Sequence, residues 1–406
     1  MWRKDASPSE IEREHFRPMT VPDPIALTQA LIRCPSVTPA DAGALGVLEA
    51  ALAPLGFRCE RMRFEAPGTA PIDNLYARIG SGRPHLCFAG HTDVVPPGDE
   101  TRWRFPPFEG RIAEGRVWGR GACDMKSAVA AFAAAAGRFL AERGPAFGGS
   151  ISLLITGDEE AEAVNGTVKM LQALAARGEA IDACIVGEPS SSEAVGDTMK
   201  IGRRGSLTGR LTVRGVQGHV AYPHKADNPL PRLVRMLAAL SPGGGPEIDG
   251  GSAHFDPSTL AITTIDVGNP ATNVIPAEGR AVFNIRFNDT WTAESLGAWI
   301  RERFDAVGGD FTLDLRSGAD SFLTAPGELT GRVAGAVERV TGRRPAFSTS
   351  GGTSDARFVK DYAPVVELGL VNATIHKTNE NVPVEEIETL TRIYRAVLDD
   401  SFPERG

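Results

Sequence analysis

Four apolar runs in this chain each end in a side chain able to bind a metal ion. LCFAG ends at His91, SISLLITGD at Glu159 and Glu160, IDACIVG at Glu188, and VVELGLVNAT at His376. A further carboxylate, Asp124, stands in GRGACDMKSA just ahead of an alanine-rich stretch. If the runs are strands of one open α/β sheet, their carboxyl ends share an edge, and such edges are where these folds build sites. Two imidazoles and several carboxylates gathered there suit zinc or a similar divalent ion. Cysteine is absent from these positions, which argues against a closed structural zinc site.

Each position also has a plainer reading. A histidine at a strand end can be an ordinary hydrogen-bonded polar residue. Asp124 before a helix can be an N-cap. The Glu159–Glu160 pair at a strand-to-helix turn can simply complement the helix dipole, and Glu188 before Pro189 can be a solvated turn residue. The recurrence of donors at successive strand ends makes these independent readings jointly weak.

The elements that must position these residues are legible as alternating helices and apolar strands. Helices are expected over PIALTQALIRC and AGALGVLEAALAPLG, the latter stopping at Gly56. Asn74 to Ile79 and Leu86 to Ala89 read as strands, and FEGRIAEGRVWGRG as a hairpin turning at Glu114–Gly115. An alanine-rich helix follows from about Met125 to Glu142. Ser150 to Thr156 and Ile181 to Val186 read as buried strands around a helix from Gly166 to Arg177. Strands without a polar face predict an α/β domain with a mostly parallel sheet covered on both sides.

Near Arg204 the character changes. GSLTGRLTVRGVQGH, STLAITTIDV and GRAVFNIRFND alternate apolar and polar residues, as half-solvated antiparallel strands do, with a helix from Pro231 to Leu240 between them. The βα pattern returns after about Gly318. The expected organisation is therefore a catalytic domain over residues 19–203 and 319–406, interrupted by an inserted α+β unit over 204–318. Residues 1–18 are expected to be a disordered extension, with Met1 and Met19 both open as the start.

Bulk properties bound the function. The net charge of −8 argues against nucleic acid as the main partner. No apolar run is long enough to span a membrane, and the charged N-terminus shows no secretory signal. Five scattered cysteines, Cys34, Cys59, Cys87, Cys123 and Cys184, lack any CxxC spacing and read as buried thiols of a cytoplasmic protein.

In order along the chain, HTDVVPPG, GRGACDMKSA, TGDEEA, VGEPS and IHKTNE resemble the two-zinc exopeptidase and deacylase family of aminoacylases, glutamate carboxypeptidases and acetylornithine deacetylase. The resemblance runs from about Pro22 to the C-terminus. LIRCPSVTPADAG, MKIGRRGSL, GVQGHVAYPHKADNP, NVIPAE, FNIRF, STSGGTSDARF and VNATIHK are similar to the branch of that family that removes succinyl groups from diaminopimelate.

The resemblance implies a role for each residue. His91 and Glu188 would hold one zinc, Glu160 and His376 the other, and Asp124 would bridge them; cobalt would be able to substitute. Glu159 would be the general base, and Asp93 would orient the His91 imidazole, since residues two apart on an extended segment share a face. Two ions sharing a water lower its pKa and polarise the scissile carbonyl, and a carboxylate beside them can carry the water's proton to the leaving amine. His219 would reach the site of the other subunit in a homodimer and stabilise the tetrahedral oxyanion, with a closing motion between domains. The implied substrate, N-succinyl-LL-diaminopimelate, is rich in carboxylates and asks for guanidinium forks and backbone donors. Arg203, Ser206, Tyr222, Asn273, Arg286, Gly352, Thr353 and Asn372 match the positions that would touch it. Arg204 competes with Arg203 for that role, and Lys200 is a similar case. The pattern departs at Thr272–Asn273, where relatives carry paired asparagines.

Three other readings compete. Another deacylase of the same family would differ in its acyl and amine pockets; Arg203, the GGTSD loop and VNATIH favour the succinyl enzyme. A non-catalytic relative would be expected to have lost a ligand or Glu159. A nucleotide-binding enzyme lacks support, because GRGACD is no phosphate loop and no glycine fingerprint opens a helix after a strand. His15, His85, His224 and His254 carry no assigned role.

Overall fold

A computed structural model describes residues 20–241 and 243–404. The expected extension over 1–18 lies outside the described residues. Among them, no helix is long and apolar enough to cross a membrane.

The central sheet has eight strands, in the order Arg58–Phe64, Ile72–Gly80, Ser150–Thr156, His85–His91, Ala183–Val186, Val365–Glu367, Thr198–Lys200, Ala346–Ser348. Its middle is parallel. His85–His91 runs parallel to both Ser150–Thr156 and Ala183–Val186, and Val365–Glu367 runs parallel to Ala183–Val186. The flanks break the pattern. Ile72–Gly80 is antiparallel to both its neighbours, and Val365–Glu367 meets Thr198–Lys200 antiparallel. The sheet is therefore mixed, with four of its seven strand pairings parallel and three antiparallel. Connection length accounts for one flank: a short loop joins Arg58–Phe64 to Ile72–Gly80, and a parallel return needs a longer crossover. The parallel middle has such crossovers in the helices Lys126–Arg143 and Thr167–Ala176.

Lys126–Arg143 is buried along nearly its whole length, which is why its sequence is alanine-rich: small side chains let it lie close to its neighbours. It packs between Pro24–Ile32 and the closing helix Val384–Ser401. Phe132 stacks on Phe88 of the central strand with ring centroids 4.4 Å apart, and Tyr394 meets both rings edge-on at 5.6 Å. This aromatic cluster fixes the helix against the strand that ends at His91.

A separate four-stranded antiparallel sheet, ordered Thr259–Asp266, Glu278–Phe287, Gly205–Arg214, Phe311–Ala319, carries the helices Leu230–Ala239 and Ala293–Val307. It has its own core, with Leu207, Leu211, Val213, Phe283, Ile285, Phe287, Ile300 and Phe304 buried. The alternating sequence of Gly205–Arg214 becomes alternating burial. The chain enters through Gly202–Arg203 and returns through Phe322–Leu323, and these two short strands pair antiparallel.

Candidate active site

Strand register brings the donors together. In the parallel middle of the sheet His91 lies opposite Thr156, Ala89 opposite Val186, and Val186 opposite Glu367. The residues just beyond these positions, Glu159, Glu160 and Glu188, therefore emerge at the same edge as His91. His376 arrives differently. Its strand stops at Glu367, and the following segment bridges to Ser191 through Val371. His376 itself sits at φ 56°, a left-handed conformation that a non-glycine residue holds only where its surroundings impose it.

Asp124 is the centre of the group. Its Oδ1 lies 3.2 Å from His91 Nε2, and its Oδ2 lies 3.3 Å from His376 Nε2. Glu188 Oε1 is 3.7 Å from His91 Nε2, and Glu160 Oε1 is 3.0 Å from His376 Nε2. The sets His91–Asp124–Glu188 and Asp124–Glu160–His376 each place their donor atoms within 4.8 Å of one another, as does His91–Glu159–Glu160.

The donor set fits divalent cations. His91 Nδ1 lies 2.9 Å from the Asp93 carbonyl, which can only accept; Nδ1 therefore carries a proton, and Nε2 is the ring atom that faces Asp124 and Glu188. Glu188 Oε1 is buried with no hydrogen-bond partner. Lone pairs converging in a buried space repel unless a proton or a cation lies among them. The electrostatics carry the same message. Burial pushes the Glu188 carboxyl well above the usual range, with Asp124 and Glu159 adding to it. Burial would also raise Asp124, but hydrogen bonds from His376 and His91 override it and hold its carboxyl well below the usual range. Hydrogen bonds donated to Asp124 and Glu160 push His376 up to about 10.

Glu159 points into this group from a half-buried position. Burial raises its carboxyl well above the usual carboxylate range, and Asp355, Glu160 and Asp124 raise it further against the opposing pull of His91. A carboxylate so placed is a better proton acceptor than one in water. The Asp93 carboxylate holds the turn that carries it. Asp93 accepts the N–H of Glu159 at 3.2 Å, the N–H of Glu160 at 3.1 Å and the Thr38 hydroxyl at 2.7 Å. Towards His91, the Asp93 carbonyl is nearer than its carboxylate, which stands 3.6 Å from Nδ1.

The residues matched to substrate contact fall into three places. Arg203 is buried, and its Nε donates to both Glu367 oxygens at 2.8 and 2.9 Å, while the Ser354 hydroxyl donates to the same carboxylate at 2.5 Å. It thus lies behind the loop that contains Gly352 and Thr353, with Asn372 exposed on the segment leading to His376. Ser206 and Arg286 face each other across the antiparallel sheet and share Asn284. Burial and the neighbouring Arg204 both lower Arg286, and Arg286 Nη1 has no partner. His219, Tyr222 and Asn273 form an exposed third group: His219 and Tyr222 rings lie 5.6 Å apart, and Val220 N–H donates to Asn273 O at 3.1 Å. Among the described residues, no hydrogen bond or ion pair joins this third group to the His91–His376 cluster.

Sequence reasoning overlooked three acids that shape the site. Glu367 neutralises Arg203. Asp355, raised to about 6 mainly by burial, has one carboxylate oxygen unpartnered and faces the field of Glu159. Glu380 binds the loop that carries Asp124; its only signal was its place at the end of the IHKTNE segment.

Residues 87–400 match the model of peptidase family M20/M25/M40. A protein of Rhodospirillum centenum named succinyl-diaminopimelate desuccinylase is 61% identical over 381 residues, covering 94% of this chain and 98% of that protein. Another of that name, from Methylorubrum extorquens strain PA1, is 58% identical over 383 residues, covering 93% and 99%. Among solved structures, an M20 family metallo-carboxypeptidase from Sulfolobus solfataricus superposes with a TM-score of 0.75 at 16% identity, covering 94% of this chain and 99% of that one. A dinuclear metal-binding M20 peptidase from Bacillus subtilis superposes with a TM-score of 0.63 at 14% identity, covering 92% and 96%.

Proposed function

The chain belongs to peptidase family M20/M25/M40, and on that premise we propose that it hydrolyses N-succinyl-LL-2,6-diaminopimelate to succinate and LL-2,6-diaminopimelate, a step of lysine and meso-diaminopimelate biosynthesis. The observation that carries the mechanism is the single Asp124 carboxylate reaching His91 with one oxygen and His376 with the other.

In this reading His91 and Glu188 would hold one zinc and Glu160 and His376 the second, with Asp124 shared between them; cobalt would be able to substitute. Two divalent ions held there would supply polarisation of the scissile carbonyl and a lowered pKa for water. The chain's own residues do the rest. Glu159 takes the proton of the attacking water on its carboxylate. It returns that proton to the diaminopimelate nitrogen as the C–N bond breaks, so that oxygen joins the succinyl carbonyl carbon and the amine leaves neutral. Asp93 holds the Glu159–Glu160 turn, so base and ligand keep separate directions. Arg286, with Ser206, offers an unpaired guanidinium edge to a substrate carboxylate. Arg203 and the Gly352–Thr353 loop shape the succinyl side, and Tyr222, Asn273 and Asn372 complete the contacts.

His219 is exposed and separated from its own chain's cluster, so we assign it to the partner's site in a homodimer, where its imidazole donates to the carbonyl oxygen as negative charge develops. Residues 204–318 serve as the lid and dimerisation unit, 19–203 and 319–406 as the catalytic unit. We place the enzyme in the cytoplasm. Assaying the zinc-loaded protein on the succinyl substrate and on N-acetylornithine tests the assignment: succinate release alone supports it, and turnover of the acetyl substrate alone overturns the pocket reading.

A further inference from the structure

Asp124 lies in a tight loop whose backbone donors need partners. Gly121 adopts φ +86°, and a Cβ there would meet Val94 at 2.8 Å and Lys126 at 2.9 Å. The fully buried Glu380 supplies the acceptors. Its Oε1 receives the N–H of Cys123 at 2.7 Å and of Asp124 at 3.0 Å, and its Oε2 receives the N–H of Gly121 at 3.1 Å and Arg120 Nη1 at 2.6 Å. The Glu380 carbonyl also accepts the N–H of Gly119 at 2.9 Å. Arg120 extends the connection to the carbonyls of Lys377 and Pro96 at 3.4 Å and of His376 at 3.5 Å.

From this geometry we propose that Glu380 is a positioning residue for the metal centre. It aims the Asp124 carboxylate by holding the Asp124 backbone, and it stands four residues beyond His376 on the same segment. One buried carboxylate therefore sets the spacing between the shared ligand and a ligand unique to one ion. The inference rests on the dinuclear reading above. A buried ion pair with Arg120 would be a poor reason on its own for a glutamate here, because desolvation of both charges offsets their attraction. Only a carboxylate can accept three loop N–H groups and a guanidinium together.

Two substitutions separate the jobs. Glu380→Asp keeps the charge for Arg120 but withdraws it from the loop donors by one methylene. Glu380→Gln keeps the length but loses the charge. Each variant is compared with wild type by chelator competition for zinc, by the visible spectrum of the cobalt-loaded protein, and by kcat and KM. Zinc affinity is expected to fall about tenfold or more in Glu380→Asp, with an altered cobalt spectrum and a lower kcat at a KM within about twofold. A merely structural role would lower the melting temperature and leave the spectrum of the loaded protein unchanged. Wild-type affinity and spectrum in Glu380→Asp would overturn the proposal, as would failure of both variants to fold. A wild-type protein that does not take up two ions would instead overturn the dinuclear reading itself.

Discussion

Asp93 accepts the backbone N–H of Glu160 at 3.1 Å with the same carboxylate that accepts the N–H of Glu159. The aspartate two residues beyond His91 therefore organises the turn that carries both the proposed base, Glu159, and the proposed ligand, Glu160. Replacing Asp93 with Asn leaves one acceptor oxygen for two turn donors. We expect kcat to fall by about 10- to 100-fold with little change in KM, measured by steady-state succinate release. An unchanged kcat would show that the turn holds without Asp93.

On the proposed roles, Glu159→Ala would remove the base without removing a ligand, and His219→Ala would remove a group that acts in the other subunit. Each is expected to retain its metal and to lose turnover, by about 10²-fold or more. Dimers formed by mixing the two variants are expected to regain turnover that neither parent has, because one site then combines an intact Glu159 with the partner's intact histidine. A monomer in solution, or mixtures as inactive as their parents, would contradict the cross-subunit role.

The arginines are expected to separate by phenotype. Arg203 is locked to buried Glu367, so Arg203→Ala strands a carboxylate in the interior and should destabilise the fold by about 3 kcal/mol, read by urea denaturation. Arg286 has an unpaired edge, so Arg286→Ala should raise KM about tenfold or more with stability nearly unchanged. The opposite pattern would exchange the two assignments.

His85 offers a pH test away from the site. It is buried, with Nδ1 2.8 Å from Ala180 O and Nε2 2.8 Å from Ser152 Oγ. Burial holds its pKa below the usual value. The unfolded chain therefore binds a proton, below about pH 6.5, that the folded chain refuses. The stabilisation due to neutral His85 is complete above that pH and is lost as pH falls. The stability advantage of wild type over His85→Asn should thus be constant at neutral pH and shrink on acidification. A gap that widens on acidification would mean that the folded protein keeps His85 protonated.

Much of the candidate site is legible in the sequence because its strands are buried on both faces and appear as largely apolar runs, so their ends mark the positions of His91, Glu159, Glu160 and Glu188. The hairpin at Glu114–Gly115 was equally legible, since both residues take the positive φ that such a turn requires. Strand direction was not. A strand buried on both faces carries no polar stripe, and Ile72–Gly80 reads the same whether parallel or antiparallel. The path to His376 was also hidden, because its apolar run is a strand only as far as Glu367. The partners of Arg203 and of the Asp124 loop come from Glu367 and Glu380, far along the chain, and leave no periodic trace.

The central claim is hydrolysis at a two-ion centre bridged by Asp124. The most direct measurement is succinate release from N-succinyl-LL-diaminopimelate as zinc is titrated into metal-free protein. The expected result is no release without metal and a plateau by two ions per chain. Full release from the metal-free protein, or two ions bound with no release, would contradict the account.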